Sequence, residues 1–329
     1  MTKIQKLYFA ILAARGMTNE RKPIEKIFIG GAPRSGTTML ASIMGSHSKI
    51  LVTSETQFKF DLAHLFTEKS VPAEDIFHQL TKNKRFRIWD PDVNKEDMDY
   101  SGLSNFMESL VKNYSIKTDR KEYTHWVDVT PVNLRHASFL NRQFPECLFI
   151  HLVRDGRGVY ASQQKVDFGS NDPVFAALKW TEAVALGLST EIAFAKRCLR
   201  VHYENLLRNP ELECIRICEF TGIEFEPAMI EATGFKKSAY SSETHQLVGK
   251  RPDPVRIDKW KQDLSEKDIL YFESMTYDLL DMLGYERINK GILKKPDEFT
   301  QTRIMFLGAL KYLTIDKWKN RARYKKNIK

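Results

Sequence analysis

The chain of 329 residues has 51 Lys and Arg against 42 Asp and Glu, and therefore a formal net charge of +9. Its apolar fraction of 42% and its charged fraction of 28% are ordinary for a globular protein and exclude a disordered or fibrous chain. No run approaches the roughly 18 consecutive apolar residues that cross a membrane. The positive charge favours anionic partners, which include a nucleotide, an acidic substrate, nucleic acid and a membrane surface.

The two ends of the chain differ in character from its middle. Residues 1–25 carry apolar side chains at helical spacing and predict an amphipathic helix. Residues 291–329 predict a basic helix and tail, in which an apolar helical pattern over residues 302–329 runs into the basic end KNRARYKKNIK. We expect the region between them, 26–290, to form one domain. Because the four cysteines lack metal-binding spacing, we expect reduced thiols and a cytoplasmic protein. Contact with a membrane surface and formation of a homodimer both stay open.

Short apolar runs alternate with helical patterns along the domain. We predict five strands, at residues 27–29, Ile50–Thr53, His125–Val129, Cys147–Val153 and Leu199–Tyr203. Their alternation with helices predicts an α/β fold, in which a P-loop-like central parallel sheet is flanked by helices. Residues 58–122 predict a helical insertion, and its stretch Arg85–Tyr100 is expected to be a surface excursion or lid.

The stretch Lys26–Gly45, KIFIGGAPRSGTTMLASIMG, is the most informative part of the sequence. It predicts a buried strand, a glycine-rich turn and a helix that begins at Thr37 or Thr38. The first amides of a helix have no partner inside it, and the helix dipole favours negative charge there. Strand, loop and helix start therefore predict an anion site that is suited to phosphate or sulfate.

This loop is close to the pattern of nucleoside triphosphate-binding loops, G-x-x-x-x-G-K-[ST]. Gly31 and Gly36 have the right spacing and Thr38 supplies the hydroxyl. Thr37, however, replaces the lysine that reaches the β- and γ-phosphates, and Arg34 places a cation inside the loop instead. The loop therefore suits another phospho-anhydride better than it suits ATP.

The heptad APRSGTT, residues 32–38, resembles the 5′-phosphosulfate loop of sulfotransferases, which use 3′-phosphoadenosine 5′-phosphosulfate (PAPS). Among them it is most similar to the tyrosylprotein sulfotransferases and their soluble bacterial relatives. The resemblance implies PAPS as cofactor, adenosine 3′,5′-bisphosphate as product, and no requirement for a metal. The loop residues that it assigns to the cofactor are Pro33, Arg34, Ser35, Gly36, Thr37 and Thr38.

Further landmarks of the family follow in the family's order as far as Tyr285. Arg154 and Ser162 match an arginine and a serine, eight residues apart, that bind the cofactor's 3′-phosphate in relatives. A planar guanidinium can bind a phosphate with two charge-assisted hydrogen bonds, and a hydroxyl can add a third. The resemblance also assigns Tyr203, Lys250 and Lys259 to the cofactor site.

Read without the resemblance, the segment 154–161 permits two other interpretations. It could be an Arg–Asp turn that local hydrogen bonds hold in place. The spacing of Gly156 and Gly158 also matches the glycine pattern of dinucleotide-binding sites. Arg154 and Asp155 stand between the strand and these glycines, however, and no strand-ending acid follows near position 175, so the sequence argues against a nicotinamide site.

Sulfuryl transfer needs a base for the acceptor hydroxyl and positive charge near the departing oxygen. The resemblance implies Glu55, in an E-T context at a predicted strand end, as the base, and Arg34 as the charge stabiliser. The sequence departs from the family at Val129, where a lysine is usual. Either Arg135 or Lys250 then supplies the missing cation, or the activity is weaker than is usual in the family.

The acceptor stays open among glycans, lipids, small molecules and peptide tyrosines. Gln57 stands where tyrosylprotein enzymes have an arginine, which weakens the case for a tyrosyl peptide. Two other functions also stay open. One is a Mg²⁺-dependent P-loop kinase, against which Thr37 argues, and the other is a non-catalytic nucleotide- or membrane-binding module, which Val129 permits. We do not expect nucleic acid as a partner, and we predict that His151 is structural unless it points towards the cofactor.

Overall fold

The structure is a computed structural model that describes residues 24–67, 71–89, 92–166, 169–234, 249, 251–291 and 294–311, and residues 314, 318 and 322. The predicted amphipathic helix at the start of the chain lies outside these residues. So do Lys250 and most of the basic tail beyond residue 311. No helix in the described ranges is long and apolar enough to cross a membrane.

A parallel sheet with the strand order β2-β3-β1-β4-β5 forms the centre of the described chain. Its strands are β1 (Glu25–Gly31), β2 (Ile50–Thr53), β3 (His125–Asp128), β4 (Leu148–Val153) and β5 (Cys198–His202). In the central strand, Ile27 is in register with Val127 on one side and Leu148 on the other. The predicted α/β fold and parallel sheet are confirmed, and Val129 and Tyr203 fall just beyond the strands to which they were assigned.

The chain reverses its direction of travel across the sheet at β1. From β1 it moves outward to β2, returns through β3, and then crosses to β4 on the other side. Open α/β sheets bind ligands outside the carboxyl ends of their strands at such a switch point. The segments that follow all five strands converge on this edge, which is therefore where the site is expected.

Both faces of the sheet are buried, as the apolar strands require. Side chains alternate between the faces, so that Ile27 and Ile29 pack into one apolar cluster and Phe28 packs into another. The cluster around Phe28 also contains Trp126, whose ring lies edge-on to it with centroids 5.8 Å apart. A third cluster surrounds Trp180 on the helices that follow β4.

Helices cover the two faces and build the insertion. The helices that follow β1 and β2 are α1 (Thr37–Gly45), α2 (Phe58–Leu62), α3 (Ala73–Lys82), α4 (Lys84–Ile88) and α5 (Leu103–Lys117). Those that follow β3 and β4 are α6 (Ala137–Gln143), α7 (Gly156–Gln163) and α8 (Pro173–Ala193). The remaining ones are α9 (Tyr203–Arg208), α10 (Pro210–Thr221), α11 (Ala228–Glu231), α12 (Trp260–Asp263), α13 (Glu266–Met282) and α14 (Glu298–Lys311).

Short 3₁₀ turns connect several of these elements. They span Ala63–Phe66, Lys95–Asp97, Pro131–His136 and Pro254–Arg256. The 3₁₀ turn Pro131–His136 leads directly into α6. The cysteines are free thiols, and three of the four are buried.

The stretch Arg85–Tyr100 is not the surface excursion that its Asp and Pro content predicted. Phe86, Trp89 and Met98 are buried in the cluster that covers the sheet. Phe58 packs edge-on against both aromatic rings, with centroids 5.4 Å from Phe86 and 5.3 Å from Trp89. The charged residues of this stretch led to the wrong prediction, because these three buried apolar side chains fix it to the rest of the insertion.

Candidate active site

The loop between β1 and α1 adopts a strained conformation. Arg34 has φ of 78° and Gly36 has φ of 102°, both in the left-handed region. A non-glycine residue in that region costs of the order of 1–3 kcal/mol, and such strain is concentrated at functional sites. The Ser35 amide donates to the carbonyl of Ala32 at 3.0 Å, which closes the turn. This strained loop leads directly into the start of α1, where the sequence predicted an anion site.

Tyr203 joins the loop to the end of β4. A Cβ added at Gly36 would lie 2.6 Å from Cδ2 of Tyr203, so only glycine leaves room for this buried ring. The guanidinium of Arg154 stacks on the same ring, with its Cζ 4.3 Å from the ring centroid. Tyr203 thus sets the distance between the loop and Arg154 through contacts on two sides.

Arg34 and Arg154 meet at the loop, although they are 120 residues apart in sequence. Nη1 of Arg154 donates to the backbone carbonyl of Arg34 at 3.0 Å, and Nε of Arg34 donates to Oγ of Ser162 at 3.2 Å. Burial lowers the pKa of Arg34, and the positive charge of Arg154 lowers it further. The positive charge of Arg154 therefore disfavours the positive charge of Arg34, and an anion bound beside both would offset this repulsion.

The loop also contains a buried hydroxyl with an unmet hydrogen bond. Oγ of Ser35 is buried and has no hydrogen-bond partner. Buried polar atoms are nearly always satisfied, and an exception commonly marks the place of a bound group. Pro33 is exposed, whereas Thr37 is buried at the helix start and Thr38 is half-buried. The residues present therefore fit a phosphate or sulfate group held at the loop.

The residues that follow Arg154 form a buried charge cluster that fixes its position. Asp155 accepts a hydrogen bond from the amide of Arg157 at 2.9 Å and from its Nη2 at 2.7 Å. Nη1 of Arg157 donates to Glu273 at 2.5 Å, and the Arg157 guanidinium stacks on Trp260 at 4.1 Å. The local Arg–Asp turn considered above therefore exists between Asp155 and Arg157, while Arg154 itself faces the loop.

The glycines of the apparent dinucleotide fingerprint serve helix packing. A Cβ on Gly156 would lie 2.6 Å from Phe272 and 2.7 Å from Trp180. A Cβ on Gly158 would lie 3.2 Å from Nε of Arg154. These contacts explain why both positions are glycine, so that no bound dinucleotide is needed to explain them.

Glu55 lies two residues beyond the carboxyl-terminal end of β2, where its position is fixed through its backbone. Its carbonyl accepts a hydrogen bond from Nε1 of Trp89 at 3.2 Å. Nearly half of the side chain, 49%, is exposed, and Oε2 lies 3.9 Å from Nη1 of Arg85. The surrounding protein displaces bulk water and raises the pKa of Glu55; Arg85 and Lys59 oppose this shift, whereas Asp128 adds to it. A solvent-accessible carboxyl with a raised pKa is suited to accept a proton.

A fully buried ion pair lies next to Glu55, and sequence reasoning missed it. Nζ of Lys59 donates to Asp128 at 2.8 Å, to Oγ1 of Thr56 at 2.7 Å and to Oδ1 of Asn133 at 2.8 Å. Both charged side chains are 0% exposed. Burial alone would raise the pKa of Asp128, but the Lys59 ammonium and the hydroxyls around the carboxylate lower it below its usual value.

The same network fixes the backbone that carries Glu55. The amide of Thr56 donates to Oγ1 of Thr130 at 2.8 Å, and the hydroxyl of Thr56 donates to Asp128. Oγ1 of Thr130 in turn donates to Asp128 at 2.6 Å. The signal in the sequence was a lysine between two phenylalanines, Phe58-Lys59-Phe60, because a lysine in an apolar run needs an acidic partner.

Comparison with known proteins identifies the family. The family model described as "Sulfotransferase family" matches residues 26–227, which is more than half of the chain. The chain belongs to the sulfotransferase family. Protein-tyrosine sulfotransferase A of Caenorhabditis elegans is 25% identical over 283 residues, covering 83% of this chain and 70% of its own length. Protein-tyrosine sulfotransferase 1 of Homo sapiens is 25% identical over 303 residues, covering 87% and 77%.

Solved structures share the fold of this sulfotransferase. The sulfotransferase domain from the Synechococcus PCC 7002 olefin synthase superposes with a TM-score of 0.57 at 21% identity, covering 82% of this chain and 98% of that domain. The sulfotransferase domain from the curacin biosynthetic pathway gives a TM-score of 0.53 at 20% identity, covering 82% and 100%. The family model and the curated relatives show that the chain is a sulfotransferase enzyme, and they favour sulfuryl transfer over a kinase or a non-catalytic module.

At the position of the usual family lysine, this sulfotransferase has an apolar side chain. Val129 is 4% exposed and packs in the apolar cluster with Ile27 and Ile29. Arg135, considered above as the replacement cation, instead donates to Glu182 on α8 at 2.6 Å. Lys59 is the described cation that lies closest in the chain to Glu55, and it is held away from solvent.

The remaining candidates occupy less decisive positions. Lys259 is exposed at the start of α12, and Lys250 lies outside the described residues. His151 does not face the site: its Nδ1 pairs with Glu191 at 2.6 Å and its side chain is 1% exposed. Within the described ranges, no group of three or more His, Cys, Asp or Glu is arranged to hold a metal ion.

Proposed function

We propose that this sulfotransferase uses PAPS as the sulfuryl donor and transfers the group to an acceptor hydroxyl, with Glu55 as general base. The observation that carries the proposal is the convergence of Arg34, Arg154 and Ser162 beside the buried hydroxyl of Ser35. Two guanidinium groups, a hydroxyl with an unmet hydrogen bond and a helix start fit a ligand with more than one anionic group. PAPS has such groups at its 5′ and 3′ positions.

The loop and the helix start would hold the 5′-phosphosulfate end of the donor. Ser35 would donate its free hydroxyl proton there, and Thr37 and Thr38 lie at the start of α1, where the helix dipole favours anions. Arg154 and Ser162 would bind the 3′-phosphate, with Tyr203 holding the Arg154 guanidinium in its plane. Arg34 lies between these two sets of side chains. Its guanidinium would turn towards the bridging oxygen of the donor, which departs when the sulfuryl group is transferred.

When bound, the donor supplies an activated sulfuryl group: the acceptor oxygen bonds to sulfur while the bond from sulfur to the bridging oxygen breaks. The acceptor hydroxyl must lose its proton as this happens, and the Glu55 carboxylate would accept it. Arg34 would neutralise the negative charge that develops on the bridging oxygen. Adenosine 3′,5′-bisphosphate leaves as the second product. Trp89 and the Thr56 network would keep Glu55 in register with the acceptor.

The acceptor in this proposal is a hydroxyl-bearing molecule, and peptide tyrosine is one candidate. The curated relatives are named protein-tyrosine sulfotransferases. Arg85 lies beside Glu55 and is 42% exposed, so it can contact an anionic acceptor. An acidic tyrosyl peptide, a glycan, a lipid and a small alcohol should therefore be compared as acceptors with radiolabelled PAPS.

Nucleotide-dependent thermal stabilisation tests the donor. We expect adenosine 3′,5′-bisphosphate to raise the Tm in the presence of a chelator, because a ligand that binds only the folded state stabilises it. Adenosine 5′-monophosphate, which lacks the 3′-phosphate, is the matched control and should raise the Tm less. A preference for Mg·ATP over adenosine 3′,5′-bisphosphate would overturn the proposal in favour of a phosphotransferase.

A further inference from the structure

The last described helix, α14, carries a row of exposed apolar side chains. Phe299 is 79% exposed, Phe306 is 68% exposed, and Leu307 and Leu310 are 50% and 48% exposed. Trp318, further along the chain, is 70% exposed. Single exposed apolar residues are common on protein surfaces, but a row of large ones marks an interaction site.

The opposite side of α14 is the one that packs on the protein. A Cβ on Gly308 would lie 2.3 Å from Cε2 of Phe175 on α8, so the two helices approach closely at this glycine. At 100° per residue, Phe299, Phe306 and Leu310 lie within about 20° of the direction opposite Gly308. The apolar row therefore points away from the domain.

The charge of this region distinguishes it from an ordinary protein–protein contact. Residues 298–329 contain nine Lys and Arg against two Asp and Glu, a net of +7, while the whole chain has +9. Arg303 lies on the exposed side of α14, between Phe299 and Phe306. Seven of the nine net positive charges of the sequence therefore come from residues 298–329.

We propose that the exposed apolar side of α14 binds the surface of an anionic lipid bilayer, to which the basic sequence that follows the helix adds positive charge. An amphipathic basic helix lies in the membrane interface with its apolar side in the acyl boundary, while its Lys and Arg attract anionic headgroups. Trp and Phe are suited to this interface because their rings are stable at headgroup depth. Basic charge alone would also suit nucleic acid, but the apolar row would gain nothing from a phosphate backbone.

Co-sedimentation of the full chain with lipid vesicles tests the proposal. We expect binding to vesicles of phosphatidylcholine and phosphatidylserine in equal parts, weak binding to phosphatidylcholine alone, and a loss of binding as salt is raised. The variant Phe306→Glu/Leu310→Glu should reduce vesicle affinity at least roughly tenfold, because two apolar side chains no longer enter the lipid.

The matched control is Ile192→Glu/Leu212→Glu. It makes the same charge change at two exposed apolar side chains, which are 82% and 58% exposed and lie on α8 and α10. Ile192 is 17 residues from Phe175 along α8, a distance of about 25 Å. This control should bind vesicles like the unchanged protein, and adenosine 3′,5′-bisphosphate should stabilise both variants equally if both are folded.

A second variant tests the electrostatic part. Arg321→Gln, Arg323→Gln, Lys325→Gln and Lys326→Gln together should abolish the preference for phosphatidylserine. Equal vesicle binding by Phe306→Glu/Leu310→Glu and its control would overturn the proposal. The proposal would also be overturned if the protein bound duplex DNA as tightly as it binds the vesicles and if Phe306→Glu/Leu310→Glu left that DNA affinity unchanged. Light scattering tests whether the surface instead binds a second copy of the chain. That assignment would follow if the unchanged protein is a dimer that does not bind vesicles, and if only Phe306→Glu/Leu310→Glu dissociates the dimer.

Discussion

The two halves of the candidate site treat charge in opposite ways. The donor half (Arg34, Ser35, Arg154 and Ser162) brings two arginines together at the loop, and the charge of Arg154 acts on Arg34. The acceptor half (Glu55, Thr56, Lys59 and Asp128) pairs its buried charges with each other, behind a half-exposed carboxyl. Like charges held together favour the entry of an anion, whereas a paired lysine and aspartate already satisfy each other.

This difference separates binding from positioning. In the donor half the side chains would contact the ligand directly, and contacts with Ser162 and Tyr203 position the two arginines on and beside a strained loop. In the acceptor half, Lys59 is 0% exposed and would act only through Thr56 and Asp128. Substitutions in the donor half should therefore weaken nucleotide binding, whereas substitutions in the acceptor half should lower turnover or stability.

The largest expected effect is on turnover, in the acceptor half. Glu55→Gln keeps the shape of the side chain but removes its ability to accept a proton. We expect kcat to fall by roughly 10²–10⁴, the usual contribution of a general base. Affinity for adenosine 3′,5′-bisphosphate should stay unchanged. The control is Glu211→Gln on the exposed start of α10, and a turnover equal to that of this control would reject Glu55 as the base.

The next effect is on stability and also belongs to the acceptor half. Lys59→Met leaves Asp128 buried without its cation, which costs about 3–5 kcal/mol in the free energy of unfolding. Lys59→Met combined with Asp128→Asn removes both charges and should recover most of that loss in urea unfolding. Equal destabilisation by the single and the double variant would show that the ion pair is not the cause.

The pH dependence of stability has a definite sign for this pair. The folded-state pKa of Asp128 is lowered, so its contribution to stability is present above the unfolded pKa of about 3.9. It is lost as the pH falls through the folded-state pKa, because protonation then breaks the pair. The double variant lacks this contribution, and its stability should therefore fall less on acidification.

The two halves also differ in how far the sequence predicts them. The donor half follows a local pattern: strand, glycine loop and helix start are contiguous, and Arg154 comes directly after an apolar strand. Parallel strands bring such segments to one edge, so a sequence argument predicts their proximity. The α/β fold follows from the same strand–helix alternation.

The acceptor half depends on contacts that no local pattern encodes. Lys59 meets Asp128 across 69 residues, and although the apolar neighbours of Lys59 indicate that it needs an acidic partner, they do not identify which one. Local composition also misplaced Arg85–Tyr100, because its charges outnumber the three apolar anchors that bury it. Arg135 was considered as the replacement cation because it is one turn from Pro131, but its partner is Glu182 on a helix that comes later in the chain.

In the donor half we expect a loss of affinity. Arg154→Ala removes charge-assisted hydrogen bonds, each worth about 1.5–3 kcal/mol, which corresponds to a roughly 10–100-fold weaker Kd for adenosine 3′,5′-bisphosphate. Calorimetric titration measures it. Arg208→Ala, on the exposed end of α9, removes the same charge outside the loop and should leave the Kd unchanged. If Glu55→Gln weakened nucleotide binding as much as Arg154→Ala, the two halves would not be separate.

The smallest expected effect is a shift in the pH profile of kcat/KM. Glu55 must be ionised to accept a proton, so activity should rise as the pH increases through its raised pKa. Arg85 favours the ionised form from 3.9 Å, and both side chains are about half exposed, so their interaction is worth about 0.2–1 kcal/mol. Arg85→Gln should therefore raise the pKa of Glu55 and move the acidic limb to higher pH by less than about one unit.

Arg87→Gln is the matched control for this shift, because it removes an exposed arginine two residues along the same helix. Two residues turn a helix by about 200°, so Arg87 points away from the side that Arg85 presents to Glu55. The acidic limb of Arg87→Gln should coincide with that of the unchanged enzyme. An equal shift in both variants would mean that the profile reports the net charge of α4 and not a contact with Glu55. A shift to lower pH in Arg85→Gln would contradict Glu55 as the group whose ionisation limits the rate, since losing a nearby cation can only raise the pKa of a carboxyl.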